Sequence, residues 1–258
     1  MGGVALFIVL ATIVASSHAE GIPQQIHHLR LYTGAAGSKI EGLSCLSWRF
    51  AVETDNFRDW SVVPEKCEHY VGYYMMGEQY RKDCDAVAFV AMAYAETVAL
   101  AGDGRDIWVF DIDETTLSNL PYFARPDVAF GTKPFNNTAF NAWVAEGKAP
   151  AIPGSLMLYK KLVSLGFKIV FLTGTRETYR QVRISNLKKA GYHTWKKLIL
   201  KPDNDSSTAV VYKSSRRAEL EAAGYRIIGN MGDQWSDLLG TNVGNRTFKV
   251  PDPMYYIA

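Results

Sequence analysis

Two carboxylates and a hydroxyl follow a short apolar run near the middle of the chain. Asp111, Asp113 and Thr115 stand in the string Asp-Ile-Asp-Glu-Thr, directly after residues 107–110. Short continuous apolar runs are typical of buried parallel strands, and open α/β sheets bind ligands beyond the carboxyl ends of such strands. Neighbouring carboxylates there can divide the work of phosphoryl transfer, because one attacks phosphorus while the other protonates the leaving oxygen. The spacing favours phosphoryl transfer, and a solvated acidic turn is the alternative.

Three later apolar runs also end in polar groups. They are 167–172 before Thr173, Gly174 and Arg176, 209–212 before Lys213, and 225–230 before Asp233 and Asp237. A hydroxyl, a glycine and a cation suit the binding of a phosphate. Carboxylates suit a hard cation such as Mg²⁺. Because the carboxyl ends of parallel strands meet at one edge of a sheet, we expect these groups to lie close together.

In this order the motifs resemble the four signature motifs of the haloacid dehalogenase (HAD) superfamily, each at a strand end. Longer strings resemble those of the plant class B acid phosphatases and vegetative storage proteins, over roughly residues 43–257. These strings are Cys45-Leu46-Ser47-Trp48, Val52-Glu53-Thr54, the run WKKLILKP at 195–202, Val211-Tyr212-Lys213-Ser214 and Gly232-Asp233-Gln234-Trp235. The resemblance implies a doubly wound, mainly parallel α/β sheet with N-terminal helices and a small cap. It also implies hydrolysis of phosphomonoesters.

The resemblance implies a catalytic pair and a metal. Asp111 is the expected nucleophile, which would form an aspartyl-phosphate. Asp113 is the expected acid and base, a role that requires a carboxyl group with a raised pKa. Mg²⁺ is the expected cofactor, held by Asp111, Asp233 and the backbone carbonyl of Asp113, because it offsets the repulsion between a phosphate and the nucleophile.

The remaining motif residues are expected to bind phosphate or to support the site. Thr173, Gly174 and Lys213 would contact the phosphoryl oxygens. Thr115 and Asp237 are supporting residues, and Asp237 would orient Lys213 or a metal-bound water. Arg176 would either contact the substrate or form a salt bridge.

Some members of this plant family serve chiefly as nitrogen stores, and in some of them the nucleophilic aspartate is replaced. This chain keeps Asp111. A working phosphatase is therefore favoured over a storage protein with weak or vestigial activity, although composition does not separate the two.

Composition and charge give no support to several other classes of partner. The chain has 258 residues, of which 48% are hydrophobic and 21% charged, and this is ordinary for a protein that buries a sizeable core. A net charge of +2 without a dense run of Lys and Arg gives no support to nucleic acid or to an acidic membrane surface. The expected partner is a small phosphomonoester, and a homodimer is left open.

The N-terminus has the pattern of a signal peptide. Residues 4–15 are apolar but too few to span a membrane, and the small-residue site Ser17-His18-Ala19 follows. Residues 1–19 are therefore predicted to be removed, although no Lys or Arg stands near the start, and a buried N-terminal helix is the alternative. No membrane anchor is expected. The destination is the secretory pathway, ending outside the cell, in the wall or in the vacuole.

Cysteines and sequons agree with an oxidising route. Cys45 and Cys67 flank a segment with little regular patterning and are expected to pair, which leaves Cys84 single; three reduced cysteines are the alternative. The glycosylation candidates are Asn136, Asn204 and Asn245. Asn204 is favoured because it stands in a polar stretch after a proline, whereas Asn245 precedes a predicted strand.

The elements divide the chain into an N-terminal helical part at 20–104, which contributes to a lid, and a catalytic domain at 105–258 with a cap insertion near 117–150. Strands are predicted at 106–110, 167–172, 197–200, 208–212, 225–230 and 246–250, and helices at 138–147, 154–165, 177–190, 213–223 and 234–239. A helical stretch at 63–100 is expected to bury the face formed by Ala86, Phe89, Val90, Ala93, Tyr94 and Thr97. The cap contains Tyr122, Phe123, Phe130, Phe135, Phe140 and Trp143, which either stack a leaving group or form a packing layer.

Overall fold

The computed structural model describes residues 42–258, and a five-stranded parallel sheet forms their centre. Its strands are β1 (Asp106–Phe110), β2 (Lys168–Arg176), β3 (Lys197–Lys201), β4 (Arg226–Gly232) and β5 (Arg246–Lys249). The spatial order is β3-β2-β1-β4-β5, and every neighbouring pair is parallel. The chain moves outward from β1 to β3 and then returns to β4 on the other side of β1. The predicted doubly wound fold is confirmed.

Nine α-helices surround or extend this sheet in the described range. They are α1 (Cys45–Glu53), α2 (Glu68–Met76), α3 (Glu78–Glu96), α4 (Leu120–Phe123), α5 (Asn137–Glu146), α6 (Pro153–Leu165), α7 (Arg180–Lys189), α8 (Ala209–Ala222) and α9 (Trp235–Leu238). Short 3₁₀ turns lie at Glu65–Cys67, Ala129–Gly131 and Glu177–Tyr179. None of the helices between residues 42 and 258 has the length and apolar character needed to cross a membrane.

The side chains of the central strand β1 alternate between the two faces of the sheet, so this strand contributes to the packing on both faces. Ile107 and Val109 join a cluster that includes Tyr212 and Leu220 of α8. On the other face the ring of Trp108 stacks on Phe248 of β5, with centroids 5.3 Å apart. A side chain at Gly229 would place its Cβ 2.5 Å from the Trp108 ring, so β4 needs glycine at this point. The full burial of β1 fixes the position of the residues that follow it.

One predicted strand is wrong. Residues 208–212 are not a strand, because α8 begins at Ala209 and Thr208 is its N-cap, with the side-chain oxygen accepting from Val211 N. The apolar string Ala-Val-Val-Tyr favours a strand by composition, but it is too short to show a helical period on its own. Only Tyr212 in it is fully buried, whereas Val211 is 58% exposed. Lys213 therefore stands inside a helix and not at a strand end.

The predicted buried face of the N-terminal helical stretch is also wrong, except for Tyr94, whose ring lies 5.9 Å from that of Phe248 in β5. The stretch forms two helices, α2 and α3, and α3 packs on α6 through small side chains: Cys84, Ala88, Ala91 and Ala95. Phe89 and Val90, which the pattern placed inside, are 56% and 49% exposed. Close approach explains the difference, since a Cβ on Gly154 of α6 would lie 3.1 Å from the carbonyl of Cys84. The largest apolar residues do not fit such a contact.

The segment between Cys45 and Cys67 is more regular than expected, because α1 begins at Cys45 itself. The two cysteines form a disulfide, and Cys84 is a free, buried thiol. Trp48 of α1 packs edge-on against Trp60, with centroids 5.3 Å apart. The predicted signal peptide at 1–19 and the segment at 20–41 lie outside the described residues.

The insertion at 117–150, which we call the flap, carries α4, one 3₁₀ turn and α5. Its rings mostly pack on one another: Tyr122 and Phe123 are buried and lie 5.3 Å apart. Phe135 is the exception, with 60% exposure. The N-terminal part contacts the flap, because Val63 N donates to Gly131 O at 2.9 Å. The packing-layer interpretation therefore holds for Tyr122 and Phe123.

Candidate active site

Three buried carboxylates meet at the point where the strand order reverses. Asp111 directly follows β1, Asp233 directly follows the neighbouring β4, and Asp237 lies on α9. One oxygen from each lies within 4.8 Å of the others. Doubly wound sheets bind ligands beyond the carboxyl ends of the strands at such a reversal. The fold therefore brings the first and last sequence motifs into one cluster.

Lys213 reaches this cluster from α8. Its Nζ lies 2.6 Å from Oδ1 of Asp111, and it also donates to Oδ1 of Asp237. Burial alone would lower the pKa of Lys213, but the two carboxylates beside it raise that pKa, so the side chain carries a positive charge. Asp237 thus contacts Lys213 directly, and its other oxygen accepts from Gln234 N at 3.1 Å.

Asp233 is held by three donors. Thr115 Oγ1 donates to Oδ1 at 3.0 Å, and Gln234 Nε2 and Tyr255 OH donate to Oδ2 at 2.8 and 3.0 Å. Burial raises the pKa of Asp233, and the charge of Asp237 adds to that effect. Thr115, the hydroxyl of the first motif, is therefore in contact with the last motif.

The chemistry of the cluster fits a divalent cation. Hard cations such as Mg²⁺ prefer oxygen ligands, and carboxylates at close range repel one another unless a cation lies among them. Asp111, Asp233 and Asp237 supply such oxygens, and one lysine, Lys213, does not neutralise three carboxylates. These residues therefore fit the expected metal.

Asp113 is surrounded by hydrogen-bond donors. Arg183 Nη2 lies 2.6 and 2.7 Å from its two oxygens, Thr175 Oγ1 donates at 3.0 Å, and Asn119 Nδ2 donates at 2.8 Å. Burial alone would raise the pKa of Asp113, but Arg183 and the hydrogen bonds outweigh it and lower that pKa. The expectation of a raised pKa is wrong because it considered burial and not these partners.

The second motif forms the last part of β2, where the pairing with β3 is irregular between Leu172 and Arg176. Thr173 is buried, and its Oγ1 accepts from Thr175 N at 3.0 Å. Gly174 is exposed, and a Cβ built on it would meet no atom within 4 Å, so its backbone is open to a ligand. Arg176 instead donates to the carbonyls of Pro202 and Asp205 at 2.8 and 2.6 Å. It therefore stabilises the loop before α8. The sequence analysis instead expected Arg176 to contact the substrate or to form a salt bridge.

Several residues at the site were missed by sequence reasoning. Glu114 and Gln234 stand inside the motifs, where their identity could have drawn attention. Glu114 is fully buried with φ +52°, and it accepts from Asn119 N and from Ser118 Oγ. Arg183 and Asn119 carried no local signal, because a helix and the flap bring them to Asp113 from distant parts of the chain.

The chain was compared with protein families and with individual proteins. The model of the family described as HAD superfamily, subfamily IIIB (acid phosphatase) matches residues 31–258. "Acid phosphatase 1" of Solanum lycopersicum is 50% identical over 216 residues, which is 83% of this chain and 84% of that protein. "Stem 28 kDa glycoprotein" of Glycine max is 48% identical over 89% of each chain. "Vegetative storage protein 2" of Arabidopsis thaliana is 39% identical over 84% of this chain and 82% of its own.

The chain belongs to the acid phosphatase subfamily IIIB of the HAD superfamily. Among solved structures, the class C acid phosphatase of Bacillus anthracis has a similar fold, with a TM-score of 0.61 at 20% identity. The match covers 73% of this chain and 85% of that one. The resemblance that the motifs indicated, to the HAD superfamily and to plant acid phosphatases and storage proteins, is confirmed.

Proposed function

We propose that this protein is a working acid phosphatase that hydrolyses phosphomonoesters through an aspartyl-phosphate on Asp111, with Mg²⁺ as cofactor. The observation that carries the proposal is the placement of Asp111. It directly follows the central strand, contacts Lys213 at 2.6 Å and lies in one cluster with Asp233. A carboxylate in such surroundings is suited to attack a phosphate that the cations hold.

Substrate binding is assigned to the groups around Asp111. The ammonium of Lys213 and the end of β2 at Thr173 and Gly174 would hold the phosphoryl oxygens. The ammonium carries positive charge, and the backbone of Gly174 is accessible. Asp111, Asp233 and Asp237 could contribute oxygens to a bound Mg²⁺, with the backbone carbonyl of Asp113 as a further ligand. The metal, when bound, supplies positive charge against the phosphate.

The reaction would proceed in two displacements at phosphorus. In the first, an oxygen of Asp111 forms a bond to phosphorus while the bond to the alcohol oxygen breaks, and Asp113 gives its proton to that oxygen. In the second, Asp113 takes a proton from water, the water oxygen bonds to phosphorus, and the Asp111 carboxylate leaves with its electron pair. Inorganic phosphate is released and both carboxyl groups return to their starting states.

The environment of Asp113 supports an acidic working range. Its donors lower its pKa, so the carboxyl group is ionised at neutral pH. The first displacement needs its protonated form, and the protonated fraction increases as pH falls. An enzyme whose general acid is ionised at neutral pH therefore works better in acid, in line with the name of its family.

The flap and the N-terminal helices are proposed to form a lid over the mouth of the site. A cavity of about 450 Å³ lies between flap residues, including Phe123 and Phe135, and Tyr255 near the end of the chain. Tyr255 connects it to the site, because its ring lines the cavity and its hydroxyl donates to Asp233 at 3.0 Å. The alcohol part of a substrate is proposed to enter this cavity.

A storage role is the second candidate, because the chain is 39% identical to "Vegetative storage protein 2". The two functions are separated by an assay with p-nitrophenyl phosphate at acidic pH, with and without a chelator. The proposed enzyme turns over the substrate, loses activity with chelator and regains it with Mg²⁺. Absence of turnover with saturating Mg²⁺ would assign the protein to storage, and turnover indifferent to the chelator would remove the metal from the proposal.

We also propose that the protein enters the secretory pathway and ends outside the cell, in the wall or in the vacuole. The apolar N-terminus, the Cys45–Cys67 disulfide and the relatives named stem glycoproteins support this destination. Asn204 is the proposed glycan site, because it is exposed in a turn. Asn136 uses its side chain to cap α5, and Asn245 directly precedes β5. Mass mapping of the plant protein, for N-terminal residue and glycopeptides, tests both points.

A further inference from the structure

Arg183 is a fully buried cation whose charge is directed at a single carboxylate. Its side chain is 1% exposed, and among residues 42–258 Asp113 is the only acidic group within ion-pair distance of it. One terminal nitrogen, Nη2, lies 2.6 and 2.7 Å from the two carboxylate oxygens. A buried arginine without a partner would be strongly unfavourable, so this contact is part of how the site is built.

Thr175 ties the two side chains together. Its hydroxyl oxygen accepts from Nε and Nη2 of Arg183 at 3.2 and 2.9 Å and donates to Asp113 at 3.0 Å. Asn119 donates to Asp113 from the flap side, at 2.8 Å. Three side chains from α7, β2 and the flap thus converge on a carboxyl group that stands on a loop.

These donors limit where a proton on Asp113 can lie. An arginine has donors and no acceptor, so a carboxyl hydrogen cannot point at it. The Nδ2 group of Asn119 is likewise a donor, and the Thr175 hydroxyl uses its own hydrogen on Asp113. The hydrogen is left with the direction of the 18% of the Asp113 side chain that remains exposed. That direction is the one from which a leaving group can approach.

We infer that Arg183 is a positioning residue that holds the Asp113 carboxyl group in the orientation from which it protonates the leaving alcohol. This inference rests on the proposed role of Asp113 as general acid. Proton donation requires hydrogen-bond reach of the reacting oxygen, and catalytic groups must be held to a fraction of an ångström by the residues around them. Arg183 does this without touching the substrate, because its side chain is 1% exposed and its Nε and Nη2 donate to Asp113 and Thr175.

The inference has a signature that a purely structural role lacks. Alcohols with a high pKa need a proton in order to leave, whereas dinitrophenol leaves without one. A misplaced general acid therefore slows alkyl phosphates much more than dinitrophenyl phosphate. The ratio kcat/KM reports all steps up to the departure of the alcohol, so it is the quantity to measure.

The test compares Arg183→Met and Arg183→Lys with Arg180→Met, all saturated with Mg²⁺. Arg180 is the matched control, since it lies one turn away on α7 and pairs with Glu177 instead of the site. For Arg183→Met we expect kcat/KM on ethyl phosphate to fall by about 10²-fold, and by less than about 5-fold on dinitrophenyl phosphate. Arg183→Lys should recover part of the ethyl phosphate rate, and Arg180→Met should resemble the wild type on both substrates.

A double-mutant cycle separates this inference from the proposed function. If Arg183 acts through Asp113, the double variant Asp113→Asn with Arg183→Met is no slower on ethyl phosphate than Asp113→Asn alone. The positioning role would be overturned, with the general acid left in place, by either of two results. One is that the rate losses of the two single variants multiply in the double variant. The other is that Arg183→Met loses equal activity on the two substrates. An Asp113→Asn variant with equal losses on both substrates would overturn the general acid itself, and the inference with it.

A second variant covers the case in which Arg183→Met does not fold, as judged by thermal melting. Thr175→Val keeps nearly the same volume and removes only the hydroxyl that joins Arg183 to Asp113. We expect it to lose at least about 10-fold more kcat/KM on ethyl phosphate than on dinitrophenyl phosphate. Equal kcat/KM changes on the two substrates would contradict the inference.

Discussion

The ammonium nitrogen of Lys213 lies 2.6 Å from Oδ1 of Asp111, although 102 residues separate the two in the chain. The contact depends on the packing of α8 on β1, since one residue belongs to the helix and the other follows the strand. Both side chains are more than 90% buried. The proposed nucleophile and the lysine beside it are therefore brought together by the same packing that builds the core of the sheet.

Replacement of Asp111 by asparagine should abolish turnover. The amide cannot form the aspartyl-phosphate, so kcat on p-nitrophenyl phosphate should fall by at least about 10⁴-fold. The fold should survive, because the volume is unchanged and Lys213 keeps Asp237 as a partner. Asp106→Asn, at the opposite end of β1, is the matched control and should retain activity. Activity of Asp111→Asn within a few-fold of wild type would exclude the proposed nucleophile.

The sequence predicts the sheet well because its signal is local. Strands β1 to β4 of the doubly wound fold each contain a short apolar run, and the strand reversal then places Asp111 beside Asp233. The strand predicted at 208–212 failed, since four apolar residues fit either state and only the cap at Thr208 distinguishes them. The error did not move Lys213 away from Asp111, because α8 packs over the same end of the sheet.

The surroundings of Asp113 could not be predicted in the same way. Arg183 lies 70 residues further along the chain and comes from a helix whose periodicity says nothing about which residue faces a carboxylate. Asn119 depends on the path of the flap, where Trp143 Nε1 donates to its Oδ1 at 2.8 Å. Contacts of this kind are set by tertiary packing, so the pKa of Asp113 was assigned in the wrong direction.

Acidification should stabilise the metal-free protein. Burial, followed by the charge of Asp233, raises the pKa of Glu114 well above its ordinary value of 4.5, and burial raises that of Asp252 above 3.8. A carboxyl group with a raised folded-state pKa binds more protons when folded, so stability increases as pH falls toward the ordinary value. With chelator present, the melting temperature should be at least about 2–4 °C higher at pH 5 than at pH 7, or roughly 1 kcal/mol.

Glu114→Gln should reduce that pH dependence by raising the melting temperature at pH 7. A glutamine can still accept from Asn119 N, and its amide can donate to the Ser118 hydroxyl. Glu65→Gln is the control, because the Glu65 side chain is 87% exposed. A melting temperature that falls from pH 7 to pH 5 would show that the depressed pKa of groups such as Asp113 dominates in this range.

The Cys45–Cys67 disulfide should contribute to stability and not to chemistry. It joins residues 22 apart in sequence, and the chain-entropy model gives about 3 kcal/mol for a loop of this length. The double replacement by serine should lower the free energy of unfolding by that amount in urea titrations, with kcat nearly unchanged. Cys84→Ala should leave the disulfide intact in peptide maps run without reduction. A linked peptide containing Cys84 would show that the pairing is wrong.

Phe135 should contribute to recognition of the alcohol part of the substrate. Its ring lines the cavity between the flap and Tyr255 and is 60% exposed, so it is available for stacking. Phe135→Ala should raise KM for phenyl phosphate by about 2- to 10-fold and leave KM for ethyl phosphate unchanged. Phe89→Ala, which removes an exposed ring from α3, should change neither value. Equal KM changes for both substrates would mean that the cavity does not bind the leaving group.

Titration with Mg²⁺ should separate the roles of Asp233 and Lys213. An amide oxygen is a poorer ligand for a hard cation than a carboxylate, so Asp233→Asn should weaken Mg²⁺ binding by at least about 10-fold, measured by calorimetry without substrate. Excess Mg²⁺ should then restore part of its rate. Lys213→Met removes the proposed phosphate contact and a positive charge beside the carboxylates. It should therefore bind Mg²⁺ at least as tightly as wild type, bind inorganic phosphate more weakly, and gain no rate from added metal.

Asp103→Asn, at an exposed ion pair before β1, should match the wild type in both titrations. Identical responses of the Asp233 and Lys213 variants would mean that one of the two residues has been assigned the wrong role.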